Sequence, residues 1–199
     1  LLTSKLDDIA WIFNLRGSDV PDNPVFYAYS LIPAKGNATL FINEEKVPAD
    51  LKEQLAEEGV VLAPYHSVGA ALASLSSGTV LANPEEINAS LLSRLPEQIT
   101  QLELPNPIEL MKALKTPEEI ELISEAMLKD GVALVRFFAW LDRNLGKEEM
   151  TEQSLADKLL YFRKSLPGYI SLSFETISAF GPNAALPHYQ PEKTGGAQI

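Results

Sequence analysis

Cysteine is absent from the 199 residues, which removes disulfides, cysteine nucleophiles and thiolate metal sites together. That absence suits a reducing compartment, and the expected localisation is cytoplasmic. Histidine is scarce: His66 and His188 are the only two, and they are far too distant in sequence for a His-Glu-x-x-His zinc helix. No run approaches the roughly 18 consecutive apolar residues of a membrane-spanning helix, so no membrane partner is expected. Basic residues are outnumbered. Sixteen Lys and Arg against 27 Asp and Glu give a formal charge of −11 and a pI near 4.6. Phosphate binding needs clustered cations, so no nucleic-acid partner is expected either. The charge is spread out, with 15 acids and 8 bases in residues 1–115 and 12 and 8 in the remainder. Leu1-Leu-Thr-Ser-Lys5 shows neither an initiator Met nor a signal-peptide pattern, so the sequence is expected to be a piece of a longer chain.

What is present is the composition of a folded protein. Hydrophobic residues make up 46% and charged residues 22%, enough for a packed core in one large or two modest domains. A helix is predicted from Ser4, with Ser4 as cap, Asp7 and Asp8 in the first turn, and Ile9, Trp11, Ile12 and Phe13 buried. Gly17, Pro21 and Asn23-Pro24 stop it. Strands are predicted over Val25–Ile32 and Ala38–Ile42, joined as a hairpin at Lys35-Gly36-Asn37. A polar helix follows at Asp50–Glu58, closed by Gly59. Strands at Val60–Ala63, Thr79–Ala82 and Ile99–Leu104 then alternate with helices at Ser67–Leu75 and Pro84–Leu95. This alternation predicts an α/β (α+β) fold. Pro105-Asn-Pro107 is the boundary candidate, which divides the chain into residues 1–104, a linker with a short helix at 105–115, and residues 116–199. Thr116-Pro-Glu-Glu119 has the pattern of a capping box with Pro at the first helical position. The long helix it opens runs to Gly146. A second helix starts at Thr151, Pro167-Gly168 ends it, and Tyr169–Phe180 reads as strand again.

Two segments stand out chemically. Near the start, the apolar run Leu6–Leu15 ends in Arg16-Gly-Ser-Asp-Val-Pro-Asp-Asn-Pro24. Near the end, Gly181-Pro-Asn-Ala-Ala-Leu-Pro-His-Tyr-Gln-Pro191 presents His188 on a turn, a common placement for a functional side chain on a rigid scaffold. Imidazoles, with a reference pKa of about 6.5, can give or take a proton at neutral pH. A locally satisfied histidine is the alternative, and the Gly-Pro-Asn-x-Ala-x-x-His-Tyr pattern favours function. His66, in Pro64-Tyr-His-Ser67 without an acidic neighbour, reads as a turn residue. Arg16 is a candidate for gripping a peptide carboxylate or carbonyl, although Asp19 and Asp22 are nearby structural partners for it and Asp19 and Asn23 are ordinary turn formers. The acidic pairs Glu44-Glu45, Glu57-Glu58, Glu118-Glu119 and Glu148-Glu149 read as solvated surface. No Gly-x-Ser-x-Gly nucleophile turn occurs.

In this order the two segments resemble the three-domain Xaa-Pro aminopeptidases, metallopeptidases of the pita-bread fold. The Trp11…Arg16-Gly-Ser-Asp19…Asn23-Pro24 string is the most specific part. Residues 1–104 are similar to most of the creatinase N-terminal-like middle domain, lacking its first strand. Residues from about 108 resemble the opening of the catalytic domain, through Lys115-Thr-Pro-Glu-Glu-Ile-Glu121, Leu172-Ser-Phe-x-Thr-Ile177 and the His188 turn. Ala184 departs from the glycine of many relatives. The resemblance implies cleavage between an N-terminal residue and a following proline, on peptides with proline second. It also implies two divalent ions, manganese in the usual case, and a homodimer. The family's metal ligands, two Asp, one His and two Glu, all follow the histidine that matches His188. The metal ligands expected in this chain are therefore none, and the chain alone is expected to be inactive. His188 inherits the role of binding substrate and shuttling a proton. A pita-bread pseudoenzyme retained as a binding module, and a free-standing α/β binding module, remain as rival readings.

Overall fold

A computed structural model describes residues 1–192 and 196–199 and divides the chain into two compact units, Leu1–Leu114 and Lys115–Ile199. The first unit is a layered α/β structure. Its sheet has the order β1 (Leu2–Thr3), β2 (Ala28–Leu31), β3 (Ala38–Ile42) and β4 (Val60–Pro64). β1 pairs antiparallel with β2, and β2 with β3, whereas β3 and β4 are parallel and joined through helix α2 (Ala49–Glu57). Side chains alternate across a strand, and β3 shows the consequence. Leu40 and Ile42 enter a core with Ile9 and Ala10 of α1 (Leu6–Ile12) and Leu55 of α2. Phe41, between them, enters a second core with Val68 and Leu72 of α3 (Val68–Ala73) and with Val80 and Ile99. Val80 and Ile99 lie on β5 (Gly78–Leu81) and β6 (Ile99–Leu102), a separate parallel pair.

The differences from the sequence reading have local causes. Leu2-Thr3 forms an edge strand too short to show periodicity. Ser4 does not cap α1. Its hydroxyl donates instead to the Glu86 carbonyl at 2.7 Å. The helix predicted over Pro84–Leu95 shrinks to α4 (Ala89–Leu92). Asn83 accepts from the Glu85 N–H at 3.1 Å and Asn88 caps Leu91 at 3.0 Å, so two side-chain turns compete with a continuous helix. Gly17 permits a close approach: a Cβ there would meet the Phe26 Cβ at 2.7 Å.

Helix α5 (Pro107–Ala113) belongs to the first unit through a buried carboxylate. Asp8, on α1, is 0% exposed. It accepts from the Asn106 amide at 2.9 Å and from the Lys112 ammonium at 2.6 Å, and Asn106 also reaches Thr3 at 3.2 Å. Lys112 further contacts Asp7, and Lys5 contacts Glu109. The Asn106 carboxamide oxygen caps α5 at the Ile108 N–H, 3.1 Å away. One asparagine thus starts a helix and ties it to α1.

The second unit is built on α6 (Pro117–Asn144) and α7 (Glu152–Lys164). The Thr116–Glu119 capping box forms as its pattern predicts. At 28 residues, α6 is about 42 Å long. It buries Ala133 and Phe137, α7 buries Ala156 and Leu159, and Met150 is buried just before α7. Arg163 clamps Asp130 with two bonds of 2.6 and 3.1 Å, the fork geometry that favours arginine over lysine. Among the described residues no helix is long and apolar enough to cross a membrane. Tyr169–Phe180 is not a strand here. It alternates in hydrophobicity, but no ladder pairs it among the described residues, and Ile170 is 93% exposed. Period-2 patterning supplies a face for a sheet, not the hydrogen-bonding neighbour a strand requires. Ile123, Met127 and Phe138 of α6 are exposed as well.

The Asn106→Ala variant should destabilise the first unit by about 1–3 kcal/mol, because Asp8 and Thr3 lose a partner in a buried site. Hydrogen exchange of α1 and β2 amides, compared with α6 and α7, measures this. Equal protection in both proteins would show that Lys112 alone satisfies Asp8.

Candidate functional site

The turn that carries His188 is assembled by glycine, proline and asparagine in sequence. Gly181 adopts φ +56°, and residues Gly181–Ala185 form a 3-10 turn with Pro182 at its start. The chain reverses again at His188, itself at φ +56°. Left-handed backbone costs a non-glycine residue on the order of 1–2 kcal/mol, and histidine tolerates it better than most. The imidazole is exposed and makes no hydrogen bond among the described residues.

The next residue ties this turn down. The Tyr189 hydroxyl donates to Glu152 Oε2 at 2.6 Å, and the Asn183 amide reaches the same carboxylate at 3.1 and 3.2 Å and the Tyr189 oxygen at 3.0 Å. Backbone N–H groups of Phe180 and Ala197 complete the shell at 2.6 and 2.9 Å. Glu152 is 0% exposed. Its backbone N–H donates to the Ala197 carbonyl at 3.1 Å, and a single antiparallel bridge joins Thr151 to Gln198. Gly196 must be glycine-like here: at φ +68°, a Cβ would fall 2.6 Å from Glu152 Oε2.

Burial opposes ionisation of Glu152, but the bonds from Tyr189, the Ala197 and Phe180 N–H groups and Asn183 outweigh it. They lower its pKa from 4.5 to about 2. The hydrogen bond to this carboxylate pushes the Tyr189 phenol up to about 12.

Arg16 and His188 lie in different units. The Arg16 guanidinium donates to its neighbour's carbonyl, Leu15 O, at 2.8 Å. Asp19, a suggested partner for it, is taken by Lys46 at 2.5 Å and by the Tyr27 N–H at 2.8 Å. These two bonds hold the Asp19 carboxyl below its usual range. His66 sits in a 3-10 turn, edge-on to Tyr65 with ring centroids 5.2 Å apart, on the wall of a cavity of about 790 Å³. Glu152 was invisible to sequence reasoning as a site residue. The only signal was its place after Thr151, where an acidic residue suits any helix start.

The sequence model of the Creatinase/Prolidase N-terminal domain matches residues 1–119. The chain belongs to this family. In this creatinase/prolidase-type chain, residues 121–198 match metallopeptidase family M24, the segment that holds the Glu152 and His188 cluster. A protein of Sordaria macrospora named "Probable Xaa-Pro aminopeptidase P" is 36% identical over 96% of this chain and 33% of its own length. "Aminopeptidase P2" of Arabidopsis thaliana is 34% identical over 100% of this chain and 32% of its own. The crystal structure of X-prolyl aminopeptidase from Caenorhabditis elegans, described as a cytosolic enzyme with a di-nuclear active site, superimposes with a TM-score of 0.86. It is 32% identical, over 97% of this chain and 32% of that one. The chain therefore spans about a third of the length of these relatives. The fold is that of the creatinase N-terminal domain followed by part of a pita-bread domain.

A pH dependence follows from Glu152. Because its folded pKa is depressed, its contribution to stability is fully present above about 4.5 and is lost as pH falls towards about 2. Acidification through this window should release the 180–190 turn and the Thr151–Gln198 bridge. Amide exchange at Phe180 and Ala197 reads this directly. Protection that stays constant from pH 5 to 2 would contradict the assignment.

Proposed function

We propose that this chain is part of a metal-dependent aminopeptidase that removes an N-terminal residue preceding proline, with peptides bearing proline second as substrates. The observation that carries the reading is the conjunction of a creatinase/prolidase N-terminal domain with an M24 segment. It is supported by a TM-score of 0.86 to an X-prolyl aminopeptidase over 97% of the chain. In this reading the enzyme is a cytoplasmic homodimer with two divalent ions, manganese in the usual case.

The residues present do not fit such a metal centre. Among the described residues, no three of His, Cys, Asp and Glu come together as ligands, and a dinuclear site needs bridging carboxylates in defined geometry. Glu152 offers no coordination site, because Tyr189, Asn183 and two backbone N–H groups fill its oxygens. The contribution of this chain is on the substrate side. His188 is exposed, on a turn fixed from beneath, and its imidazole is free to bind a peptide group and pass a proton. Arg16 is a second substrate-binding candidate. Arg16 is exposed, and its guanidinium bonds locally to the Leu15 carbonyl.

The intact enzyme should cleave a peptide with proline second in preference to the same peptide with alanine there, and should require a divalent metal. Equal rates on both would refute the specificity. The chain as it stands should show no micromolar manganese site by calorimetry and no turnover of an Xaa-Pro peptide. Turnover above background would overturn the division of labour. In the intact enzyme, His188→Ala should leave metal content and melting temperature nearly unchanged and lower kcat by about 10²–10⁴. A loss of metal with activity would make His188 a ligand instead, and near-normal kcat would remove it from the mechanism.

A further inference from the structure

The buried carboxylate beneath the turn has no substrate to touch, yet its four donor groups come from both sides of His188. Phe180 and Asn183 precede the histidine, and Tyr189 and Ala197 follow it. We propose that Glu152 is the positioning residue of the His188 turn: its carboxylate, bound by Asn183, Tyr189 and the N–H groups of Phe180 and Ala197, holds the histidine backbone in its left-handed conformation and aims the imidazole outward.

The chemistry of the donors makes a charged carboxylate necessary. Oε1 accepts from the Phe180 N–H and from Asn183, and Oε2 accepts from Tyr189, the Ala197 N–H and Asn183. The two backbone N–H groups can only donate, whereas the Asn183 carboxamide and the Tyr189 hydroxyl can each turn to present an acceptor. A glutamine at 152 would present one oxygen and one NH2. Whichever way it turned, a backbone N–H would face another donor inside a closed site. Gly196 lines the same site so closely that a Cβ there would fall 2.6 Å from Oε2. Glu152 is also the first residue of α7, and α7 is clamped to α6 through Arg163 and Asp130. The turn is therefore referenced to the helix pair. A histidine at φ +56° with no hydrogen bond of its own among the described residues depends on this reference, since nothing local favours its conformation.

This inference rests on the reading that His188 handles substrate, and the test separates the two. Glu152→Gln and Tyr189→Phe are made in this chain, and amide exchange and resonances of residues 180–190 are followed by NMR at neutral pH. In Glu152→Gln, exchange at Phe180 and Ala197 should accelerate about tenfold or more, and the His188 and Tyr189 resonances should move towards averaged values. Protection of α6 and α7 should hold. Tyr189→Phe, which removes the two hydroxyl bonds and leaves the carboxylate its Asn183 and backbone N–H donors, should give a smaller change in the same direction and serves if the first variant does not fold. In the intact enzyme, Glu152→Gln should lower kcat/KM while metal content is retained. Unchanged resonances at His188 and Tyr189 in both variants would overturn the proposal. So would an equal loss of protection throughout α6 and α7, which marks a residue of general stability. Absence of Xaa-Pro cleavage by the unaltered enzyme, with the NMR result as expected, would refute the proposed function and leave the positioning role in place.

Discussion

The Glu152 carboxylate is closed off from solvent, and the start of α7, the 180–190 turn and Ala197 are arranged around it. Removing an ion from water costs several kcal/mol unless its lone pairs are occupied. Four donor groups occupy them here, and the two backbone N–H groups among them can only donate. Because Glu152 begins α7, its charge also faces the positive end of that helix. The helix start, the 3-10 turn at Gly181–Ala185 and the bridge to Gln198 therefore stand or fall together. Irregular backbone acquires a defined shape without a strand or helix of its own.

The first unit uses the same device. Asp8 is equally closed to solvent and is satisfied by Asn106 and Lys112, 98 and 104 residues away in sequence. A short helix after a Pro-Asn-Pro boundary would otherwise have little to hold it, since seven residues are far fewer than an isolated helix needs. Segment 105–115 thus begins as a hydrogen-bonded part of the α/β unit, just ahead of the Thr116 capping box that opens the second. In both units a buried carboxylate gives the fold its long-range specificity. The apolar cores supply bulk cohesion and fix the register of β3, whose alternate residues enter different cores.

The same arrangement suits the role proposed for His188: its anchored neighbour, Tyr189, fixes the backbone and leaves the imidazole exposed. The likeness to X-prolyl aminopeptidase covers this turn and the α/β unit that precedes it. The metal donors proposed for the whole enzyme form no part of the cluster, whose acid is fully committed to hydrogen bonds.

Much of this was legible in the residues. Strand β3, the two helix starts at Thr116 and Thr151, the α2 stop at Gly59 and the turn at Gly181 all follow from local rules, because propensity, caps and turn chemistry act over a few residues. The family resemblance added the domain order. Tertiary structure alone decided the rest. Asp8 and Glu152 read as ordinary first-turn acids, and nothing within five residues of either shows that it will be closed off from water. Tyr169–Phe180 reads as strand, yet pairing depends on a neighbour that no local pattern contains. Arg16 and Asp19 are close in sequence, but Lys46 takes the carboxylate. Local sequence determines what a segment prefers to be. Burial and long-range hydrogen bonding determine which of its charges become structural, because only the folded chain decides where water is excluded.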